Sequence, residues 1–209
     1  VNEVAKTLPS NFDTAYSGLS REEVNAGNQA TLIFMLSIVF VYFLLAAQYE
    51  SYLIPFSILL SLPLGVMGAY ISTQFAGLQN NIYFQIALIM LLGLLAKNAI
   101  LIVEFALQRR KQGESILDAA IDGAESRLRP ILMTSFAFIL GLMPLVLANG
   151  VGAVGNRSIG TGAVGGLLIG TVIGVFVIPI LFILFQWLQE KITGVPEAAK
   201  NATSTEENA

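Results

Sequence analysis

Cysteine and histidine are both missing from the 209 residues. Without cysteine there can be no disulfide and no thiolate metal site. Without histidine, proton transfer near neutral pH falls to lysine or to carboxylates with shifted pKa values. Charge is scarce as well. Asp, Glu, Lys and Arg make up 12% of the chain, against about 25% in a soluble domain. The net charge of −3 argues against a nucleic-acid partner, which favours a basic surface. The few charges are also bunched: none occurs in 24–49, 51–96, 130–156 or 158–189. A membrane-crossing helix needs about 20 apolar residues, and these stretches supply them in a chain that is 55% hydrophobic. No secretory signal peptide is visible, and the chain opens on Val1 with thirty residues of mixed polarity, so it is expected to be part of a larger protein.

The expected fold is all-α: a polytopic membrane bundle of five transmembrane helices at about 30–47, 53–73, 82–107, 130–148 and 158–188, together a membrane domain over 30–192. Pro55 falls in a first helical turn, where proline is tolerated. Pro63, Pro144 and Pro179 fall inside spans, where neighbouring helices re-satisfy the freed carbonyls. With five spans, Lys6, Arg21 and Arg157 lie on one side of the membrane. Arg109, Arg110, Lys111, Arg127, Arg129, Lys191 and Lys200 lie on the other. The basic side is cytoplasmic by the positive-inside rule, so the C-terminus is expected inside and the N-terminus outside. In the cytoplasmic loop 108–129, Ile116, Ala119, Ala120 and Gly123 follow helical spacing opposite Asp118, Asp122 and Glu125. A short helix lying on the membrane surface fits that pattern, and a solvated connector is the preferred plain alternative. The tail 193–209 is small, polar and acidic, a composition of disordered segments.

Two ionisable groups interrupt the third span, LGLLAKNAILIVEFAL over 92–107. Lys97 is about 22 Å of helix beyond Ile82, close to the middle of a hydrocarbon core about 30 Å thick. A charge there costs about 2.5–3.5 kcal/mol on insertion scales and marks ion or proton pathways. Glu104 shares its face but lies about 10.5 Å along the axis, too far for an ion pair, and near enough to the cytoplasmic edge for water or Arg109 to solvate it. The acid that Lys97 requires is therefore expected from a helix outside this sequence. Asn98, beside it, can hydrogen-bond across helices, for packing or for function. Arg127 and Thr134 are seven apart and share a face if a helix begins before Pro130, a residue suited to a first turn. Spacing alone favours reading them as a positive-inside anchor and a back-bonded threonine. In SIGTGAVGGLLIGTVIG, Gly162, Gly166, Gly170 and Gly174 recur every four residues, the small-xxx-small pattern of close helix packing. It is no phosphate loop, since no strand precedes it and no lysine follows. No nucleophile triad, metal cluster or cofactor motif is present, so no enzyme activity and no cofactor is expected.

The strings GLLAKNAILIVEFA (93–106), RLRPILMTSFAFILGLMPL (127–145) and NIYFQIALIMLLGL (81–94) resemble resistance-nodulation-division multidrug efflux transporters of the hydrophobic and amphiphilic compound branch. LAAQYESYLIPFSILLSLPLGVMGA (45–69) is similar to the helices before them, and residues 8–30 look like the end of a periplasmic porter domain, which would occupy 1–29. The likeness covers about residues 1–190. It implies twelve helices in two pseudo-repeated halves, of which this chain looks like helices eight to twelve, in a bacterial inner membrane. It also implies proton-driven export by a homotrimer working with a periplasmic adaptor and an outer-membrane channel. By the motif, Lys97 matches the lysine that pairs with two aspartates on the fourth helix, with protons as the coupling ion. Arg127 and Thr134 match relay positions, which reverses the reading from spacing, and Asn98 matches the asparagine beside the lysine. Glu104 takes no role. The aspartate pair and nearly all of the periplasmic domain are absent from these residues. Alternatives in other classes are a protein-translocation or structural membrane subunit of the same architecture, and an inactive five-helix fragment.

Overall fold

A computed structural model describes residues 35–193 of the chain. The stretches read as the end of a porter domain and as a disordered tail lie outside the described residues, except Thr193, which closes a helix. The described residues form six helical segments and no strand: α1 (Met35–Tyr49), α2 (Ile54–Leu59), α3 (Leu62–Phe75), α4 (Ile82–Lys111), α5 (Ile116–Val146) and α6 (Ala153–Thr193). The α2–α3 pair, α4, α5 and α6 are each long and apolar enough to cross a membrane. The chain divides after Phe40; the bundle described below is the unit from Val41 onward.

The helices start where side chains can satisfy free backbone N–H groups. Asn81 accepts from the Phe84 amide at 2.9 Å to open α4, and Ser115 accepts from the Asp118 amide at 3.1 Å to open α5. Arg109, Arg110 and Lys111 occupy the last turn of α4, where cations suit the negative end of the helix dipole. The second expected span is broken at Leu60–Ser61. Pro63 has no N–H to continue the ladder, and before it the Ser61 amide and hydroxyl both donate to the Ile58 carbonyl, at 3.1 and 2.6 Å.

The stretch 108–129 departs most from expectation. It is neither a solvated connector nor a separate surface helix. Only 112–115 link α4 to α5, and α5 runs unbroken from Ile116 through Pro130 to Val146. Pro130 lies mid-helix rather than in a first turn. Burial explains the continuity: Ala119, Ala120 and Gly123 are buried, and a Cβ on Gly123 would stand 2.8 Å from the Ala106 Cβ. The first turns of α5 thus lean backbone to backbone on the end of α4, and that packing holds the helix through the hydrogen bond missing at Pro130. α6 also outruns its expected span. Its 41 residues make about 60 Å of helix, so Gln189, Glu190 and Lys191, beyond the expected span 158–188, form its closing turns.

α6 is the hub and packs on α2, α3, α4 and α5. Glycines let it come close. A Cβ on Gly166 would overlap Leu91 and sit 2.9 Å from the Gly65 carbonyl oxygen and 3.0 Å from the Ala69 Cβ. Gly170 would meet Leu95 at 2.9 Å and Gly162 would meet Phe84 at 2.8 Å. Gly174 differs, since a Cβ there meets only Ile178 of its own helix, at 3.6 Å. Gly166→Ala is expected to lower stability by about 1–3 kcal/mol through overpacking, because two of the atoms in its way belong to a neighbouring backbone and its Cβ. Gly141→Ala, where a Cβ has nothing within 4 Å, should cost nothing. Unfolding by SDS in mixed micelles compares the two.

The interior holds two apolar clusters. One gathers Leu45, Tyr49, Ile54, Ile58, Ala99, Ile102, Val103, Ala106, Ala120, Ile131, Ile178 and Phe182. The other gathers Ala69, Phe84, Leu91, Leu95 and Leu167. Along each chain segment a buried polar residue falls between the two: Ser61 after α2, Asn98 on α4, Ser135 on α5 and Thr171 on α6.

Candidate functional site

Lys97 is the sixteenth residue of the 30-residue α4, and so sits at mid-helix. Its side chain is on the open side of the bundle and has no carboxylate within 4 Å among the described residues. It lines a cleft of about 130 Å³ with Leu94, Asn98, Thr134, Ser135, Phe138 and Leu167. The cleft is made by three helices. α4 supplies the lysine and asparagine, α5 the two hydroxyls and a phenyl ring, and α6 a leucine. The structure therefore brings Lys97, Asn98 and Thr134 together.

Asn98 is buried and its side chain makes no hydrogen bond among the described residues. The Thr134 hydroxyl is exposed and donates to the Ile131 carbonyl at 3.0 Å, leaving its oxygen free to accept from a group in the cleft. Its neighbour Ser135 shares a buried 3.1 Å hydrogen bond with Thr171 and ties α5 to α6. Sequence reasoning passed over Ser135, Thr171 and Ser61. Their only signal is polarity within stretches that carry no charge, and serine or threonine in a helix is ordinarily satisfied by its own backbone.

Arg127 is not in the cleft. Its guanidinium lies over the Phe105 ring, 5.0 Å from the centroid, and Arg109 occupies another approach to the same ring at 5.3 Å. Such cation–π contacts hold an arginine at a wet edge without an acid. The Arg127 Nε is buried and without a partner among the described residues. Glu104 forms no ion pair there either. Of the two solvating partners expected, water or Arg109, Arg109 is turned to Glu114 at 3.3 Å and Asp122 at 3.8 Å.

A second charged group, unexpected from sequence, closes the other end of α4. Arg110 grips Glu190 of α6 with both arms, Nε to Oε1 and Nη2 to Oε2, each at 2.7 Å. Gln186 donates to the same carboxylate at 2.9 Å, and Arg110 Nη1 donates to the Glu114 carbonyl at 2.6 Å. Both charged side chains are about nine-tenths buried. Gln189, one residue away, is hydrogen-bonded to Ser51, whose hydroxyl oxygen also accepts from the Leu53 and Ile54 amides. Nothing in the sequence singled out Arg110 among the basic residues of the expected loop 108–129. Only the length of α6 places a carboxylate beside it.

The model of the AcrB/AcrD/AcrF family matches residues 1–186. The chain belongs to this family. Similar members include the toluene efflux pump membrane transporter TtgB of Pseudomonas putida, 48% identical over 203 residues, which are 97% of this chain and 19% of that protein. The multidrug resistance protein MdtF of Escherichia coli is 47% identical over 88% of this chain and 18% of its own length. The solvent-resistant pump membrane transporter SrpB of Pseudomonas putida is 43% identical over 97% and 20%. The chain thus spans about a fifth of the length of these family members, which are transporters rather than enzymes. Four apolar helices of membrane-crossing length agree with the membrane location in the names of TtgB and SrpB.

Proposed function

We propose that this chain is the C-terminal membrane part, helices eight to twelve, of a proton-driven exporter of hydrophobic and amphiphilic compounds, in which it carries half of the proton-coupling site. One observation carries the reading: a lysine at mid-span, in a cleft with Asn98 and Thr134, with no carboxylate within 4 Å among the described residues. A cation so placed requires an anion, and paired aspartates on a helix outside these residues supply it. With those acids ionised, Lys97 is bound to them. When a proton neutralises them the attraction is lost, Lys97 turns toward Asn98 and Thr134, and the helices repack. Arg127, at the cytoplasmic mouth, keeps the exit of the path positive.

The same reading places the protein in a bacterial inner membrane, with the N-terminus of this chain periplasmic and the C-terminus cytoplasmic. It takes the working unit as a homotrimer joined by a periplasmic adaptor and an outer-membrane channel, and needs no cofactor other than protons. Solvents and drugs, named in the relatives, are the substrate classes it extends to this protein. Cells making the complete protein are expected to expel a lipophilic dye, and to lose that ability within minutes of adding a protonophore. Efflux that persists after the proton gradient collapses would rule the mechanism out.

A further inference from the structure

Asn98 faces two spaces. One is the Lys97 cleft. The other is a cavity of about 10 Å³, lined among others by Ser61, Asn98, Gly170, Thr171 and Gly174. This second space lies in the polar layer between the two apolar clusters. A cavity of that size has room for about one water, and a bound water needs two to four polar partners. The lining offers them. The Ser61 hydroxyl hydrogen is spent on the Ile58 carbonyl, which leaves the oxygen able to accept. Ser135 and Thr171 share one hydrogen bond, so one of their two hydroxyl hydrogens remains to donate. The Asn98 amide has both its donors and its acceptor unused among the described residues.

We propose that this cavity is a water site. Asn98, Ser61 and Thr171 bind one water, and Asn98 joins it to the Lys97 cleft, so that a hydrogen-bonded path runs from the lysine to the break between α2 and α3. Gly174 then has a purpose that helix contact does not give it. A methyl there touches only Ile178, at 3.6 Å, so the missing side chain leaves room for the water rather than for a neighbouring helix.

The site stands on geometry and hydrogen-bond accounting, while its bearing on export rests on the coupling reading above. Cryo-electron microscopy of the full-length transporter, at a resolution that shows ordered water, should find density within hydrogen-bonding distance of Asn98, Ser61 and Thr171. A map of that quality without such density overturns the proposal. Gly174→Ala should displace the water without a clash, lower the unfolding midpoint and remove the density. Added to Asn98→Leu, which leaves no amide to satisfy, it should lower the midpoint no further. An equal drop in both backgrounds means the glycine serves packing and overturns the proposal. Neither readout involves export. If Lys97→Ala exports normally while the density and the non-additivity hold, the coupling reading falls and the water site stands.

Discussion

Replacing Lys97 by alanine in the full-length transporter is expected to reduce export to the level of cells without the protein, with an unchanged amount in the membrane. The reasoning is about differences between states. A proton drives a conformational change only if it is bound with different free energy in the two conformations, and a ligand with equal affinity for both shifts nothing. If the acids outside this chain lose their cation, protonating them no longer breaks an ion pair, so the two arrangements no longer respond to the gradient. Lys97→Arg should retain part of the activity, since the charge remains but a planar fork replaces a point charge on a flexible stem. Dye efflux measured against immunoblot levels decides. Normal export by the alanine variant would remove Lys97 from the mechanism, and arginine behaving like alanine would show that geometry matters beyond charge.

The second large effect is on stability. Glu190→Ala is expected to destabilise the bundle by about 3 kcal/mol, the lower end of the range for breaking a buried pair from one side. The loss is mostly the cost of Arg110 left buried with its donors unspent. Arg110→Ala should cost a similar amount. Changing both to leucine should recover most of it, because replacing a buried pair with apolar side chains is often close to neutral. Equilibrium unfolding of the four proteins in mixed micelles gives the coupling directly. Additive losses would show that the two residues act independently, against the bidentate geometry at 2.7 Å.

Much of this was open to inspection in the sequence. Long charge-free runs mark the crossing helices because hydrocarbon tolerates little else, and Lys97 stands out for the same reason. Residues that depend on a neighbour were harder to read. Pro130 looked like a helix start, because a proline there usually is one; the contact between Gly123 and Ala106 that carries α5 past it joins two helices. The fourfold glycine spacing was plain, yet nothing in it separates Gly174 from Gly162, Gly166 and Gly170. Arg110 was one basic residue among several in the expected loop 108–129, and that it meets an acid follows from how far α6 extends. The cleft residues Asn98 and Thr134 were legible through motif likeness. Ser61, Ser135 and Thr171 were not, since a lone hydroxyl in a helix carries no signal of what faces it.

The layer of Ser61, Asn98, Ser135 and Thr171 also has a mechanical meaning. Tightly interdigitated apolar side chains resist shear, because sliding gives up many dispersion contacts together. Hydroxyl and amide groups exchange one partner for another with little net change. The bundle therefore has a plane of weakness midway along α4, level with Lys97, with a stiff block on either side. A torque applied to one half of α4 would be taken up there first.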